Sequence, residues 1–182
     1  MREPYIEVKG STQVLMVDEK PFIMIAGEVH NSSASNAVYM EEIWEKADVL
    51  NLNTVLLPVY WEMIEPEENS FDFSLVDTLI NQAREHQKKI GFLWFGSWKN
   101  AQCYYAPEWV KKDLQRFERA QVEQGRNQKI LENVHGLLYT TPSAFCEETK
   151  RADAKAFAKL MEHIGQIDGE DHTVITMQVE NE

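Results

Sequence analysis

The residues best suited to act on a substrate are carboxylates that follow apolar runs. Thr173 to Val179 reads Thr-Val-Ile-Thr-Met-Gln-Val, a β-branched and mainly apolar stretch of the kind that fills a buried parallel strand. It ends in Glu180-Asn181-Glu182, where the strand must surface. A glutamate held in a cleft with a raised pKa can protonate a leaving oxygen and later act as base toward water. A neighbouring amide can hold a sugar hydroxyl. Glu182 is therefore the candidate catalytic residue and Asn181 a candidate substrate binder, against the bland reading of a solvated terminal glutamate.

Other carboxylates occupy equivalent places. Glu28 follows the apolar run Phe22 to Gly27, and Glu62 and Glu65 follow Thr54 to Val59. Glu28 is read as a polar substrate contact, and Glu65, just before Pro66, as a loop carboxylate. Glu28 beside His30 is too sparse a pair to name a metal, and no metal site is assigned. Aromatic side chains gather after the same runs: Tyr60, Trp61, Trp94, Trp98, Tyr104, Tyr105 and Trp109. Trp94 lies within a run and reads as packing. Tyr60 and Trp98 read as surfaces for the apolar face of a sugar. Carboxylates, amides and aromatics together suit a neutral polyhydroxylated ligand better than a phosphorylated one.

These residues must be positioned by a regular scaffold. Apolar runs begin near residues 22, 54 and 90, and amphipathic helical spacing fills Tyr39 to Leu50, Leu75 to Ala83 and Glu147 to Gly165. Asp72 is a candidate cap for the second helix. The order is strand–helix–strand–helix–strand–long insertion–helix–strand. That is the cadence of repeated βα crossover, with both sheet faces covered. The predicted fold class is α/β, of the (β/α)8 TIM-barrel type, with the first four βα units present; a full barrel takes ~250 residues. Residues 1–182 are read as one N-terminal portion of a catalytic barrel, with a hairpin or barrel floor in residues 1–17. Residues 111 to 146 read as a polar, partly helical excursion without a core strand. No glycine-rich phosphate loop follows the first run, and no cofactor is implied.

Composition narrows the partners. The 182 residues are 43% hydrophobic, enough for one sizeable core. A formal net charge of −12, from 30 acidic and 18 basic side chains, disfavours nucleic acid and anionic membrane. Cys103 and Cys146 fit no close metal spacing and read as buried thiols. The N-terminus lacks an apolar signal region, so the chain as written is expected in the cytoplasm. A mature form of a periplasmic or secreted parent, given a new start, would read identically.

Four motifs then resemble a known family. Asp18-Glu-Lys-Pro-Phe22, Gly27-Glu-Val-His30, Trp61-Glu-Met-Ile-Glu-Pro66 and Gln178-Val-Glu-Asn-Glu182 resemble the β-galactosidase-like glycoside hydrolases of family 35 and their barrel relatives. The likeness is strongest to a bacterial subgroup with Gly27-Glu-Val-His-Asn-Ser-Ser-Ala34, Trp94-Phe-Gly-Ser-Trp-Lys-Asn100 and Tyr105-Ala-Pro-Glu-Trp109, and it spans residues 18 to 182. It implies a retaining glycosidase in which Glu182 is the general acid/base and Asn181 binds the sugar 2-hydroxyl. It implies a structural role for Glu65. The nucleophile would be a second glutamate near strand seven, beyond residue 182. The family's arginine- and proline-rich segment after strand three is replaced by Phe95-Gly-Ser-Trp-Lys-Asn100, which carries no match to the galactose-recognition residues.

The expected partners are a carbohydrate substrate and the remainder of the barrel, or a second copy. The 182-residue chain alone is expected to be inactive. Its sheet is expected to expose two edges and an inward face lined by residues such as Phe22, Met24, Val55, Leu57, Phe92, Ile175 or their neighbours. The alternative function is a non-catalytic carbohydrate-binding or assembly half-barrel. A metal-dependent hydrolase would need His30 and carboxylates to converge.

Overall fold

The computed structural model describes residues 2–99, 105–124, 127–130 and 142–180. They form two compact units. The first comprises Met1–Val59, Phe73–Trp94 and Leu160–Val179, the second Tyr60–Asp72, Phe95–Lys159 and Glu180–Glu182.

The first unit begins with an antiparallel ribbon. β1 (Tyr5–Lys9) pairs with β2 (Thr12–Val17), which pairs with β3 (Lys20–Pro21). Asp18 and Glu19 form the two-residue turn between β2 and β3, at φ 50° and 62°. Two left-handed residues match the twist of the flanking strands, and aspartate tolerates that region better than most side chains.

β4 (Ala26–Glu28) follows, then α1 (Ala37–Val49) and β5 (Thr54–Tyr60). Asn36 caps α1 by accepting a hydrogen bond from the Tyr39 amide at 3.0 Å. Met40, Trp44 and Ala47 form its buried stripe, while Leu50, expected on that stripe, is exposed beyond the helix end. α2 (Trp61–Ile64), α3 (Ser74–Glu85) and β6 (Lys89–Phe95) come next. The cap residue of α3 is Phe73 rather than Asp72, whose amide instead donates to the Ile64 carbonyl. Gln82 joins α3 to α1: its amide oxygen accepts from Trp44 Nε1 at 3.1 Å and its nitrogen donates to the Ala37 carbonyl at 2.9 Å. The remaining elements are α4 (Glu108–Lys112), β7 (Gln121–Gln124), β8 (Asn127–Ile130), α5 (Glu147–Asp168) and β9 (Val174–Gln178).

The central sheet has the order β4-β5-β6-β9, with β4–β5 and β6–β9 parallel. Sequential order with helical crossovers is the expected barrel cadence, here a partial parallel sheet of four strands in an α/β fold. The first strand is shorter than its apolar run predicts. Residues 22–25 precede β4, and Ile23 and Ile25 are exposed. Asn53 explains the shortening. Its side-chain oxygen accepts from the Ile25 amide at 2.9 Å, and its nitrogen donates to the Ile23 carbonyl at 2.8 Å. A side-chain amide thus stands where a strand backbone would continue the ladder.

The two sheet faces differ from the expected assignment. Val55 lines a groove with Ile43 and Ala47 of α1, so it faces the helical layer, and period two places Leu57 and Val59 with it. Phe92 and Ile175 alternate with Gly91 and Thr176 and share that helix-covered face. The opposite face carries Leu56, Gly91 and Thr176. A Cβ on Gly91 would lie 2.6 Å from Leu56 Cδ2 and 2.9 Å from Thr176 Cγ2, so only glycine lets those two side chains close over β6. Of the residues expected inside, Val55, Leu57, Phe92 and Ile175 are outside, and their neighbours hold the inner positions.

Beneath the sheet, at the amino ends of β6 and β9, the ribbon turn meets the segment before β9. Asp18 Oδ1 accepts from His172 Nδ1 at 2.9 Å, and Lys89 Nζ donates to the His172 carbonyl at 2.7 Å and lies 3.4 Å from Asp18 Oδ2. The His172 hydrogen bond holds the Asp18 carboxyl below the usual aspartate range, helped by the Lys89 charge and opposed by burial. A pKa lowered on folding contributes stability that is present above the unfolded value, about 3.9. It is lost as pH falls through the lower folded value. Asp18→Asn keeps the turn but removes the titration. Its urea midpoint should fall below wild type at pH 7, and the gap should close as the buffer is taken from pH 5 to pH 3. A gap that stayed constant over that range would exclude Asp18 as a source of acid sensitivity.

The second unit is built on α2, α4 and the amino-terminal part of α5. Phe117, Trp61 and Val110 are among its buried apolar side chains, and the Arg119 guanidinium, itself buried, donates to the carbonyls of Phe117, Val110 and Lys111 at 2.9 Å each. β7 and β8 form a two-stranded antiparallel hairpin apart from the central sheet. The 111–146 excursion contributes no strand to that sheet among the described residues.

Candidate active face

The carboxyl ends of parallel strands are where barrels carry chemistry. Glu28 closes β4, in register with Leu56, and is exposed. It belongs to the first unit. The loop after it, residues 29 to 36, contributes His30, Asn31, Ser32 and Ser33 to an open hollow bordered by Tyr39. Among the described residues no three histidine, cysteine or acidic side chains converge on a point that could hold a metal ion.

Tyr60, Trp98 and the residues after β6 belong to the second unit. Tyr60 closes β5, and its ring meets Phe95 at 6.0 Å, edge-on, and Tyr105 at 5.2 Å. Phe95 and Tyr105 are also 5.2 Å apart, so the three rings form one triangular cluster. Tyr60 is only 3% exposed, whereas Tyr105 and Trp98 are half-buried. The tyrosine expected to touch substrate is thus the backing of the wall, and Tyr105 and Trp98 are the members with open surface. The Lys99 ammonium stands 5.0 Å above the Phe95 ring.

Two buried carboxylates brace this wall. Glu65 is 1% exposed. Its side chain accepts from Trp61 Nε1 at 3.0 Å and from the Asn69 amide at 2.8 Å, and its carbonyl accepts from Trp109 Nε1 at 3.1 Å. Trp61 and Trp109 cross at 89°. One turn earlier, the Glu62 amide donates to the Tyr105 carbonyl at 2.8 Å, and Glu62 pairs with Lys111 at 2.7 Å. The segment 61–65 therefore fixes the backbone that presents Tyr105. Asp153, on α5, accepts from the Ser97 amide at 2.9 Å and so anchors the loop that carries Trp98. Sequence reasoning missed Asp153, although it falls three and seven residues before Ala156 and Leu160 on the buried stripe.

Glu65→Leu leaves the buried Trp61 Nε1 and the part-buried Asn69 amide without their acceptor, and a buried N–H left so costs about 1–3 kcal/mol. The expected loss is about 2–4 kcal/mol in urea unfolding, with Glu65→Gln intermediate because an amide oxygen can serve one donor. Equal stability of wild type and Glu65→Leu would remove the brace from the account.

Asn181 and Glu182 lie outside the described residues, as do Cys103 and Tyr104. Cys146 is buried and donates to the Arg116 carbonyl at 3.6 Å. No helix among the described residues is long and apolar enough to cross a membrane.

No protein-family model matches the chain. Over 57 residues it is 37% identical to a β-galactosidase of Xanthomonas manihotis, a stretch that covers 31% of this chain and 9% of that enzyme. Its structure resembles the cold-adapted β-galactosidase of Rahnella sp. R3, with TM-score 0.62 and 15% identity over 87% of this chain and 21% of that one. It also resembles an exo-β-1,4-mannosidase of the Opitutaceae bacterium strain TAV5, with TM-score 0.58 and 17% identity over 89% of this chain and 25% of that one. The fold is that of a (β/α) barrel, seen over four strands, and the solved structures it resembles include glycosidases. The chain spans a quarter or less of the length of these relatives. The likeness is one of fold, and it reaches several kinds of glycosidase without singling out family 35.

Proposed function

We propose that this chain is the N-terminal part of the catalytic barrel of a retaining glycoside hydrolase, β-galactosidase-like and acting on terminal β-glycosides. The observation that carries this reading is the ending of β9 at Gln178, the carboxyl edge of the sheet, with Val179 and then Glu180-Asn181-Glu182 next in the sequence. In this reading Glu182 protonates the departing aglycone oxygen. A second glutamate, contributed by the rest of the barrel, attacks the anomeric carbon and forms a glycosyl-enzyme ester. Glu182, now a carboxylate, removes a proton from water, which displaces the glutamate and restores both groups. Asn181 holds the 2-hydroxyl, Glu28 makes a polar contact, and Trp98 offers an apolar face.

The fold shared with a β-galactosidase and a mannosidase supports carbohydrate as the substrate class, and the 57-residue stretch 37% identical to a β-galactosidase favours a β-galactoside. The test is the configuration of the first sugar released. The whole protein, given an aryl β-galactoside and followed by proton NMR, should yield the β-anomer before mutarotation. An α-anomer appearing first would replace the retaining mechanism by an inverting one.

A further inference from the structure

We infer, resting on the hydrolysis proposed above, that Tyr105 is the platform on which the substrate's sugar ring stacks, and that this platform favours a galactoside. The residues that carry the assignment all lie in the second unit.

The rings at the strand ends can be ranked. Tyr60 and Phe95 are the last residues of β5 and β6, and barrels carry their chemistry at that end of the strands. Both are closed off, at 3% and 1% exposure. Tyr105 leans on the two of them, 5.2 Å from each and inclined by 42° and 37°. It is half-buried, so it is the ring of the three that keeps open surface. A ligand that reaches this cluster meets Tyr105.

That ring is also firmly placed. The Tyr105 carbonyl accepts from the Glu62 amide at 2.8 Å, and the Glu62 carboxylate is held by Lys111 Nζ at 2.7 Å. Ala106 and Pro107 follow and are buried. Pro107 caps α4, and its carbonyl accepts from the Val110 and Lys111 amides. The backbone is thus fixed at Tyr105 and beyond it, and a tyrosine side chain has only two torsions left to order. Binding on a ring prepared in this way loses little to ordering the protein.

The chemistry of the open face selects the ligand. C–H groups of a pyranose meet the negative face of an aromatic ring. The axial 4-hydroxyl of a galactoside leaves C3–H, C4–H and C5–H together on one side of the sugar. An equatorial 4-hydroxyl, as in a glucoside, turns C4–H to the other side. A tyrosine face therefore covers more apolar surface on the galactoside.

The whole protein is the material for the test. Tyr105→Ala should raise KM for an aryl β-galactoside about tenfold with kcat nearly unchanged, because a stacking contact present in ground and transition states alike is uniform binding. Tyr105→Phe keeps the ring and should recover most of the loss. An unchanged KM in Tyr105→Ala overturns the assignment, as does a fall confined to kcat, or a rise in KM seen only in Trp98→Ala. A binding measurement needs no truncation. With a fluorotyrosine placed at position 105, the fluorine resonance should shift saturably with methyl β-galactoside, and only at higher concentration with methyl β-glucoside. A silent resonance overturns the platform, and equal or reversed responses overturn the galactoside preference. If the wild type turns over no aryl glycoside, the hydrolase reading falls by that result alone, and the fluorine titration still decides whether Tyr105 holds the sugar. The same titration decides if Tyr105→Ala loses its far-UV spectrum.

Discussion

In the whole protein, replacing Glu182 by glutamine is expected to lower turnover of glycosides with poor leaving groups by about 10²–10⁴-fold, the usual contribution of a positioned general acid. An amide has the carboxylate's shape but carries no proton to give. An alkyl glycoside departs as an alkoxide unless protonated, so its first step should nearly stop. A dinitrophenyl glycoside leaves unaided, and its first step should be spared. In the proposed mechanism its second step also needs Glu182 as base toward water, so the glycosyl-enzyme should accumulate and appear as a burst. A small anion such as azide, which needs no base, should restore turnover and yield a β-glycosyl azide. The acidic group of the pH profile should disappear together with the residue. Equal losses on both substrates, with no rescue, would mean that Glu182 is not the acid and that the strand-end position misled the assignment.

The second large effect is on stability. Trp94→Ala should cost about 3–5 kcal/mol, the range for a large aromatic removed from a packed core. Trp94 is fully buried, on β6 between Leu93 and Phe95. Alternation puts it with Phe92 on the helix-covered face. A loss of that size is a large share of the 5–15 kcal/mol that holds a typical domain together. Urea unfolding followed by far-UV circular dichroism measures it, and Trp94→Phe should recover part of the loss. A change below about 1 kcal/mol would place Trp94 in a site able to collapse around the gap.

Trp94 also shows what the sequence made legible. Its place inside a continuous apolar run read as packing, and the run became a buried strand. The cadence of apolar runs and amphipathic helices likewise foretold the sequential parallel sheet, because burial on two faces leaves few other arrangements. What failed was finer. Period two says that Leu56 and Leu57 face opposite ways, but not which way is in; the close contact at Gly91 decided that. The first strand was overestimated because hydrophobicity cannot reveal that Asn53 replaces a backbone partner at Ile23 and Ile25. Asp72 looked like a helix cap because its type suits one, yet its amide is engaged at Ile64. For the candidate site, the run of strand-end carboxylates and aromatics was readable, and the structural role implied for Glu65 agrees with its buried, fully bonded carboxylate. Tyr60 and Tyr105 could not be ranked from sequence, since residue type alone does not show which ring of a cluster faces outward.

The Asn53 amide has one more consequence, and it concerns ageing. Its nitrogen donates to the Ile23 carbonyl while its oxygen accepts from the Ile25 amide, so both ends of the group are in use. Spontaneous hydrolysis of asparagine to aspartate would change nothing in size. It would turn the donor end into a carboxylate oxygen facing a carbonyl oxygen, and attraction there would become repulsion. The chemical lifetime of one side-chain amide thus bears on how long residues 23–25 keep their place in a stored sample, while the backbone bonds from Asn53 and Thr54 to the Ile25 carbonyl are left in place.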